Sequence, residues 1–211
     1  MERISLSYFV DFVLKAGTPK LTGVRELKEN RDEAYSDFYK PIREAILDMH
    51  RRSGAASASA SEGGGAADPQ ALDRFVASLR DERRRRIYPP IVEGYRRFLG
   101  QGRMSWFEPP IGAYPVGDVR ININPELGLV IDGTPHLIKM YFRGEPLSAK
   151  RVAVTLNLVT AALARGAAPG TVFAMLDVRK ARLHTLKALN PRLALLLRGE
   201  AASFSTIYQA L

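Results

Sequence analysis

Residues 119–143 read VRININPELGLVIDGTPHLIKMYFR, and this stretch carries the clearest strand and turn signals in the chain. Asp132 and Gly133 form a turn dipeptide, because glycine accepts a positive φ angle and aspartate can hydrogen-bond its own turn backbone. Apolar and polar residues alternate over residues 119–124, and an apolar run of strand length follows the turn. We therefore predict a long β-hairpin with a bulge or bend at Pro125, since proline has no amide hydrogen to donate.

Patterns on both sides of the hairpin predict an α/β (or α+β) fold. Apolar residues recur at helical spacing over residues 5–16, 37–52, 69–87, 91–99 and 149–165, and from residue 190 onward. We expect a strand at 104–107 to pair with the hairpin, because a two-stranded ribbon alone is marginally stable. The apolar run 171–178 predicts a central strand buried on both faces, with a partner at 182–186. These elements predict one mixed central sheet that contains the hairpin and is flanked by helices.

The chain is predicted to be a single domain of residues 1–211 with one low-complexity insertion. Residues 53–68 read SGAASASASEGGGAAD and offer almost nothing for a core, so they predict a flexible loop. An inert insertion and a partner-binding segment remain alternative interpretations of that loop. The C-terminal region from residue 190 is predicted as one helix or as a pair split at Gly199.

Composition limits the chemistry available to this protein. The formal net charge is +9 and the pI is about 10.0, which favours anionic partners. Cysteine is absent, which excludes disulfides, thiol catalysis and thiolate metal sites, and the three histidines are isolated in sequence. Neither a phosphate-binding glycine loop nor a nucleophile elbow occurs, so we predict no catalytic residue, metal or cofactor. Without a secretory signal or an apolar span, the expected location is the cytoplasm, with no membrane partner.

Two groups of basic residues are candidates for contact with DNA or RNA. The first group is Arg83, Arg84, Arg85, Arg86, Arg96 and Arg97, and the second is Lys139, Arg143, Lys150 and Arg151. Arginines interleaved with aromatic residues suit phosphate contact and base stacking, although arginines near a helix C-terminus can also simply complement the helix dipole. Lys139 lies among apolar residues and must snorkel, pair with a carboxylate or face a polar groove. A phosphate contact and a catalytic role both stay open for it.

The order of the hairpin, the loop at 144–148, the long helix and the buried strand resembles the PD-(D/E)xK nuclease superfamily, including its RecB-type members, over about residues 104–188. In that family, an acid on the first hairpin strand and a D/E-x-K set on the next strand bind a divalent cation and activate water. The resemblance implies a first acid near Arg120, Asn122 or Asn124, a second acid at Lys139 and the lysine at Tyr141. None of these positions carries the carboxylate that magnesium prefers. The resemblance therefore implies a degenerate, catalytically inactive site at Asn122, Asn124, Lys139 and Tyr141.

Three functional hypotheses follow. The leading one is a non-enzymatic, basic, nuclease-like protein that binds nucleic acid or an assembly partner. The second is a divergent metal-dependent nuclease that uses Glu126, Asp132 or Asp177 in shifted positions. The third is a structural or oligomerising protein whose subunit contact is formed by Tyr35, Phe38 and Tyr39.

Overall fold

The computed structural model describes residues 2–29, 37–59, 68, 70–116, 119–186 and 188–211. Within them the chain forms eight helices and eight strands, which confirms the predicted α/β class. The helices are α1 (Leu6–Leu14), α2 (Thr18–Glu29), α3 (Lys40–Ser59), α4 (Gln70–Ser78), α5 (Glu82–Ile87), α6 (Pro89–Leu99), α7 (Ala149–Leu163) and α8 (Pro191–Ala210). The strands are β1 (Glu2–Ser5), β2 (Met104–Phe107), β3 (Gly112–Val116), β4 (Val119–Ile123), β5 (Leu127–Ile131), β6 (Thr134–Tyr141), β7 (Val172–Asp177) and β8 (Arg182–Thr185).

The described strands are divided between two mixed sheets rather than the one predicted. The small sheet has the order β1-β4-β3, in which β1 is parallel to β4 and β3 is antiparallel to it. The large sheet has the order β2-β5-β6-β7-β8, in which β6 and β7 are parallel and the other pairs are antiparallel. The parallel β6–β7 pair is connected through helix α7, as a parallel crossover requires.

The hairpin differs from its prediction on the incoming side. Strands β5 and β6 form the hairpin, and its turn contains Asp132 and Gly133 at φ angles of 47° and 85°. The preceding strand β4 belongs to the small sheet, so the chain crosses between the sheets at residues 124–126. Of the two predicted alternatives, a bulge or a bend, the structure has the bend. Because Pro125 cannot donate to a ladder, the alternating pattern ends there and the next strand is free to pair elsewhere.

The two sheets pack against different helices except for α7, which contacts both. One buried cluster joins the small sheet to α1, α2, α7 and α8 and includes Phe9, Ile121 and Phe204. A second cluster joins the large sheet to α3, α4 and α6. Strand β7 is buried on both faces as predicted: Ala174 and Leu176 lie in the second cluster and Met175 packs on the other face, against α7.

Several helix boundaries also differ from the sequence predictions. The predicted helix 69–87 is two helices, because Asp81 caps a new N-terminus by accepting a hydrogen bond from the backbone amide of Arg84. Helix α3 continues to Ser59, inside the predicted loop, where alanine favours helix formation; residues 60–67 of that loop lie outside the described residues. Helix α8 runs through Gly199 without a break. Among the described helices, none is both long and apolar enough to cross a bilayer.

Candidate anion-binding cleft

A cleft of about 430 Å³ lies where the two sheets meet. Its walls are the first turn of α1, the residues that lead into α3, the C-terminal end of β6 and the beginning of α7. Four cationic and three acidic side chains are among the described lining residues: Arg43, Lys139, Arg143, Arg151, Asp11, Asp37 and Glu126. The cleft thus carries one more positive than negative formal charge.

Lys139 and Glu126 form a buried ion pair inside the cleft. Both side chains are at most 8% exposed, and the Lys139 ammonium donates to Glu126 Oε1 and to the carbonyl of Asn124 at 3.2 Å. The second carboxylate oxygen of Glu126 accepts a hydrogen bond from the backbone amide of Met140 at 2.8 Å. The pair therefore ties strand β6 to the segment in which the chain crosses between the sheets.

Arg43 reaches the same carboxylate from helix α3. Its Nε lies 4.0 Å from Glu126 Oε1, and its guanidinium forms an ion pair with Asp37. Asp37 is held in place in turn, because its Oδ1 accepts a hydrogen bond from the Tyr39 amide at 2.9 Å. Arg43 Nε is buried and has no hydrogen-bond partner in the part of the chain that the structure describes.

Asp11 holds two arginines at the other side of the cleft. Its two oxygens lie 2.7 Å from Nη2 of Arg143 and 2.6 Å from Nη1 of Arg151. One carboxylate thus faces two guanidinium groups, each of which has five N–H donors. Burial alone lowers the pKa of Arg143, but its hydrogen bond and charge interaction with Asp11 raise that pKa overall. Both arginines are therefore fixed in position and keep donors available.

Aromatic side chains on the α3 side connect the cleft to the arginine run of α5. Phe38 and Tyr39 line the cleft, and the Tyr39 ring stacks on Phe142 with a centroid distance of 5.7 Å. The guanidinium carbons of Arg83 and Arg84 lie 4.9 Å and 5.7 Å from the centre of the Phe38 ring. Such cation–π contacts place the beginning of the predicted basic run at the edge of the cleft.

The rest of the first basic group is engaged in local contacts or points elsewhere. Arg96 pairs with Asp73 at 2.5 Å and with Glu93 at 3.0 Å. Arg97 donates to the carbonyl oxygen of Arg179 at 2.8 Å. Arg85 lies 3.8 Å from Glu82, and Arg86 is exposed. In the second group, Lys139, Arg143 and Arg151 line the cleft, and Lys150 is exposed in the first turn of α7.

The residues predicted to form a degenerate nuclease site lie in or beside this cleft. Asn124, Lys139 and Tyr141 line it, whereas Asn122 is exposed on β4 opposite Ser5, another lining residue. Burial raises the pKa of Tyr141, whose hydroxyl donates to the carbonyl of Glu145 at 3.1 Å. Tyr141 is therefore a neutral hydrogen-bonding group.

The three acids of the alternative metal site are not brought together. Asp132 lies in the hairpin turn, where its Oδ1 accepts a hydrogen bond from the Arg103 amide at 3.0 Å. Asp177 is buried at the end of β7 with Lys180 3.7 Å away. The neighbouring Arg179 does not pair with Asp177; it donates to the Phe142 carbonyl at 2.8 Å. Within the described residues, no group of three or more His, Cys, Asp or Glu side chains is placed to hold a metal ion.

The aromatic residues of the oligomerisation hypothesis are largely used inside the molecule. Phe38 packs edge-on against Tyr88 at 5.6 Å, and Tyr39 stacks on Phe142. Both are half-buried, because they cover the second core cluster. Tyr35 lies outside the described residues.

The lining residues that had no role in the sequence predictions include Asp11, Asp37, Arg43 and Thr155. Asp11 had a signal that could have been used: it is a charged residue between the buried residues Val10 and Phe12 in an otherwise apolar helix. For Arg43 and Thr155, no local pattern indicates a shared site, since they come from helices far apart in sequence.

No family model matches the chain, and a search of curated protein sequences finds no significant match.

Proposed function

We propose that this protein binds nucleic acid without cleaving it, through the basic cleft and the adjoining arginines of α5, on a nuclease-like core. The observation that supports the proposal is that some members of each predicted basic group lie at one cleft. Arg83 and Arg84 meet it through Phe38, and Lys139, Arg143 and Arg151 line it. An assembly partner with an acidic surface is the alternative ligand for the same residues.

Nucleic acid suits this surface better than a generic acidic protein does. Arginine and lysine neutralise backbone phosphates, and aromatic rings such as Phe38 and Tyr39 can stack on unpaired bases. The cleft combines both kinds of group, and the whole chain has a formal net charge of +9. We also propose that the protein acts in the cytoplasm, as expected from the sequence, where RNA and DNA are accessible to it.

The absence of cleavage is proposed from the contacts of Glu126. One carboxylate oxygen is paired with the Lys139 ammonium, and the other accepts a hydrogen bond from the Met140 amide. A divalent cation would have to displace both contacts to gain a single carboxylate ligand. Magnesium usually requires one or two carboxylates in near-octahedral geometry. Among the described residues, no group of three or more His, Cys, Asp or Glu side chains is placed to hold a metal ion beside Glu126 or elsewhere.

Retention of DNA and RNA at low salt tests the proposed binding. The purified protein is expected to retain single-stranded DNA or RNA at low ionic strength and to release it steeply as salt rises, because released counterions drive the binding. An acidic protein of similar size serves as the control. If the control retains nucleic acid equally well, the proposal is wrong.

A divergent nuclease remains the second candidate, because Glu126 and Lys139 lie side by side in a cleft, and an acid and a lysine are the groups that such enzymes use. Incubation with plasmid DNA and Mg²⁺ or Mn²⁺ distinguishes the two functions. We expect no cleavage. Metal-dependent cleavage that is abolished in Glu126→Gln or Asp177→Ala, and retained in an Asp132→Asn control, would favour the nuclease.

A further inference from the structure

The inner end of the cleft is formed by buried residues. Lys139, Thr155 and Met175 line it and are 7%, 2% and 4% exposed. Lys139 and Met175 are register partners on the adjacent strands β6 and β7, so the large sheet itself forms this inner surface. The sheet therefore closes the cleft on this side.

Three hydrogen-bond donors at the cleft are not used by the residues that the structure describes. Arg43 Nε is buried without a hydrogen-bond partner among them. Thr155 is 2% exposed, and its hydroxyl makes no hydrogen bond to a described residue. The Lys139 ammonium has three donors and uses two, toward Asn124 and Glu126. An unused donor that is fully buried, as Arg43 Nε is, carries a free-energy penalty that a bound acceptor group removes.

The N-terminus of helix α1 adds to the preference for an anion. Ser5, Leu6 and Ser7 line the cleft, and the nine-residue helix begins at Leu6 with Ser5 as its cap. Ser5 Oγ accepts a hydrogen bond from the Tyr8 amide at 3.2 Å. No acidic residue occupies the first turn, so the positive end of the helix dipole is not neutralised by a charge of the helix itself. The N-terminus of α1 and the cationic side chains therefore both favour an anion in the cleft.

The size of the cleft limits the ligand to a small group. Its volume of about 430 Å³ falls in the range of about 300–1,000 Å³ that small-molecule sites occupy. A double helix is too wide to enter it. A phosphate monoester carries a charge near −2 and three acceptor oxygens, which matches a site that offers several unused donors.

From these observations we infer that the cleft binds a terminal phosphate monoester, at the end of a single strand or on a free nucleotide. The inference rests on the proposed function. It specifies that the cleft recognises the phosphorylated end of the nucleic acid and not the phosphates of its backbone. Arg43, Lys139 and Thr155 contact the phosphate, whereas Arg83 and Lys150 contact the strand that leads away from the cleft.

The test compares oligonucleotides of one sequence that differ at their ends. Fluorescence anisotropy measures the affinity of the full-length protein for single-stranded DNA with a 5′-phosphate, with a 3′-phosphate or with hydroxyl groups at both ends. We expect one phosphorylated form to bind about tenfold more tightly than the hydroxyl form, because it adds charge-assisted hydrogen bonds. A nucleoside monophosphate and inorganic phosphate, used as competitors, distinguish recognition of a nucleotide from recognition of phosphate alone.

Two variants test where in the cleft the phosphorylated end is recognised. Thr155→Val keeps the shape of the side chain and removes its hydroxyl, and it is expected to reduce the preference for the phosphorylated end by about fivefold. The double variant Arg83→Gln/Lys150→Gln should weaken binding of all three oligonucleotides and leave their ratio unchanged. An unchanged ratio in Thr155→Val would contradict the assigned position of the phosphate.

The outcomes separate this inference from the proposed function. Equal affinity for phosphorylated and hydroxyl ends overturns the inference and leaves nucleic-acid binding intact. No measurable binding of any oligonucleotide overturns both. If inorganic phosphate competes as well as the nucleoside monophosphate does, the result supports the phosphate site and shows that the nucleoside makes no contact of its own.

Discussion

Lys139 is a charged residue in the middle of a buried strand, and its environment explains why it is tolerated there. Its partners, Glu126 and the carbonyl of Asn124, both belong to the segment in which the chain passes from one sheet to the other. The sequence left pairing with a carboxylate open for this lysine but did not identify Glu126 as the partner. The signal was hidden because the bend after Pro125 brings Glu126 back over strand β6.

Breaking the Glu126–Lys139 pair should destabilise the protein more than removing both charges. Glu126→Gln leaves the ammonium of Lys139 buried without a counter-charge, which typically costs about 3–5 kcal/mol of unfolding free energy. The double variant Glu126→Gln/Lys139→Met is expected to recover most of this loss, because the glutamine oxygen can still accept the hydrogen bond from the Met140 amide. Urea denaturation of the single and double variants measures the coupling. Strictly additive effects would show that the two side chains do not interact.

His50 should make stability depend on pH in the acid range. Burial lowers its pKa from 6.5 to about 4, and its ring is held by the hydroxyl of Tyr95 and stacked on Trp106. Between pH 6.5 and about pH 4, His50 is protonated in the unfolded chain but neutral in the folded chain. Protonation therefore favours unfolding, and the free energy of unfolding falls as the pH falls through this range. At about 1.4 kcal/mol for each unit of pKa, the loss is about 3 kcal/mol.

The comparison for His50 is a variant that cannot titrate. His50→Gln keeps a hydrogen-bonding group near Tyr95, and its unfolding free energy should vary less between pH 6.5 and pH 4 than that of the wild type. Thermal or urea unfolding at several pH values gives both curves. Parallel curves for the two proteins would mean that another group causes the acid sensitivity.

At the scale of elements, sequence patterns identified most helices and strands but not their partners. The β5–β6 hairpin, its Asp132–Gly133 turn and the twice-buried strand β7 were predictable, because turn chemistry and apolar runs are local properties. The placement of β4 and β5 in different sheets was not predictable. An alternating strand such as β4 has one apolar face in either sheet, so its pattern does not identify its partner. Strand β1 was missed for a similar reason: its four residues form a strand only through pairing with β4, more than a hundred residues away.

Contact between helix α6 and the turn after β7 requires a glycine. A Cβ atom at Gly94 would overlap the carbonyl oxygen of Val178 and lie 2.7 Å from that of Arg179. Gly94→Ala is therefore expected to lower stability by about 1–3 kcal/mol, as overpacking of a core does. Gly199→Ala is the matched control, because its Cβ would have no neighbour within 4 Å in helix α8.

The two alanine variants should move the melting temperature in opposite directions. Replacement of an unhindered helical glycine by alanine stabilises by about 0.5–1 kcal/mol. Calorimetry on both variants therefore tests the packing directly. A stabilising effect of Gly94→Ala would contradict the close approach of α6 to the backbone at Val178.

At the scale of the whole molecule, charge is distributed so that most acids already have basic partners. The predicted basic groups were only partly a guide to the cleft, because Arg96 and Arg97 make local contacts while the unpredicted Arg43 and Asp11 help to form the site. Such a site depends on long-range folding, which brings α1, α3, β6 and α7 to one place. Local sequence patterns do not indicate that these four elements lie close together in the folded protein.

The central claim is that nucleic acid binds at the cleft and not merely through net charge. Two double variants with the same change in net charge separate these possibilities: Arg83→Gln/Lys150→Gln beside the cleft, and Arg192→Gln/Arg198→Gln on helix α8. All four residues are exposed, and α8 contributes no residue to the described lining of the cleft. The two variants differ in the position of the lost charge and not in its amount.

The decisive measurement is the slope of the logarithm of the binding constant for single-stranded DNA against the logarithm of salt concentration. Each lost phosphate contact reduces the steepness of this slope by about 0.7, so Arg83→Gln/Lys150→Gln should be shallower than wild type by about 1.4. The α8 variant should keep the wild-type slope. Equal slopes in the two double variants would contradict binding at the cleft.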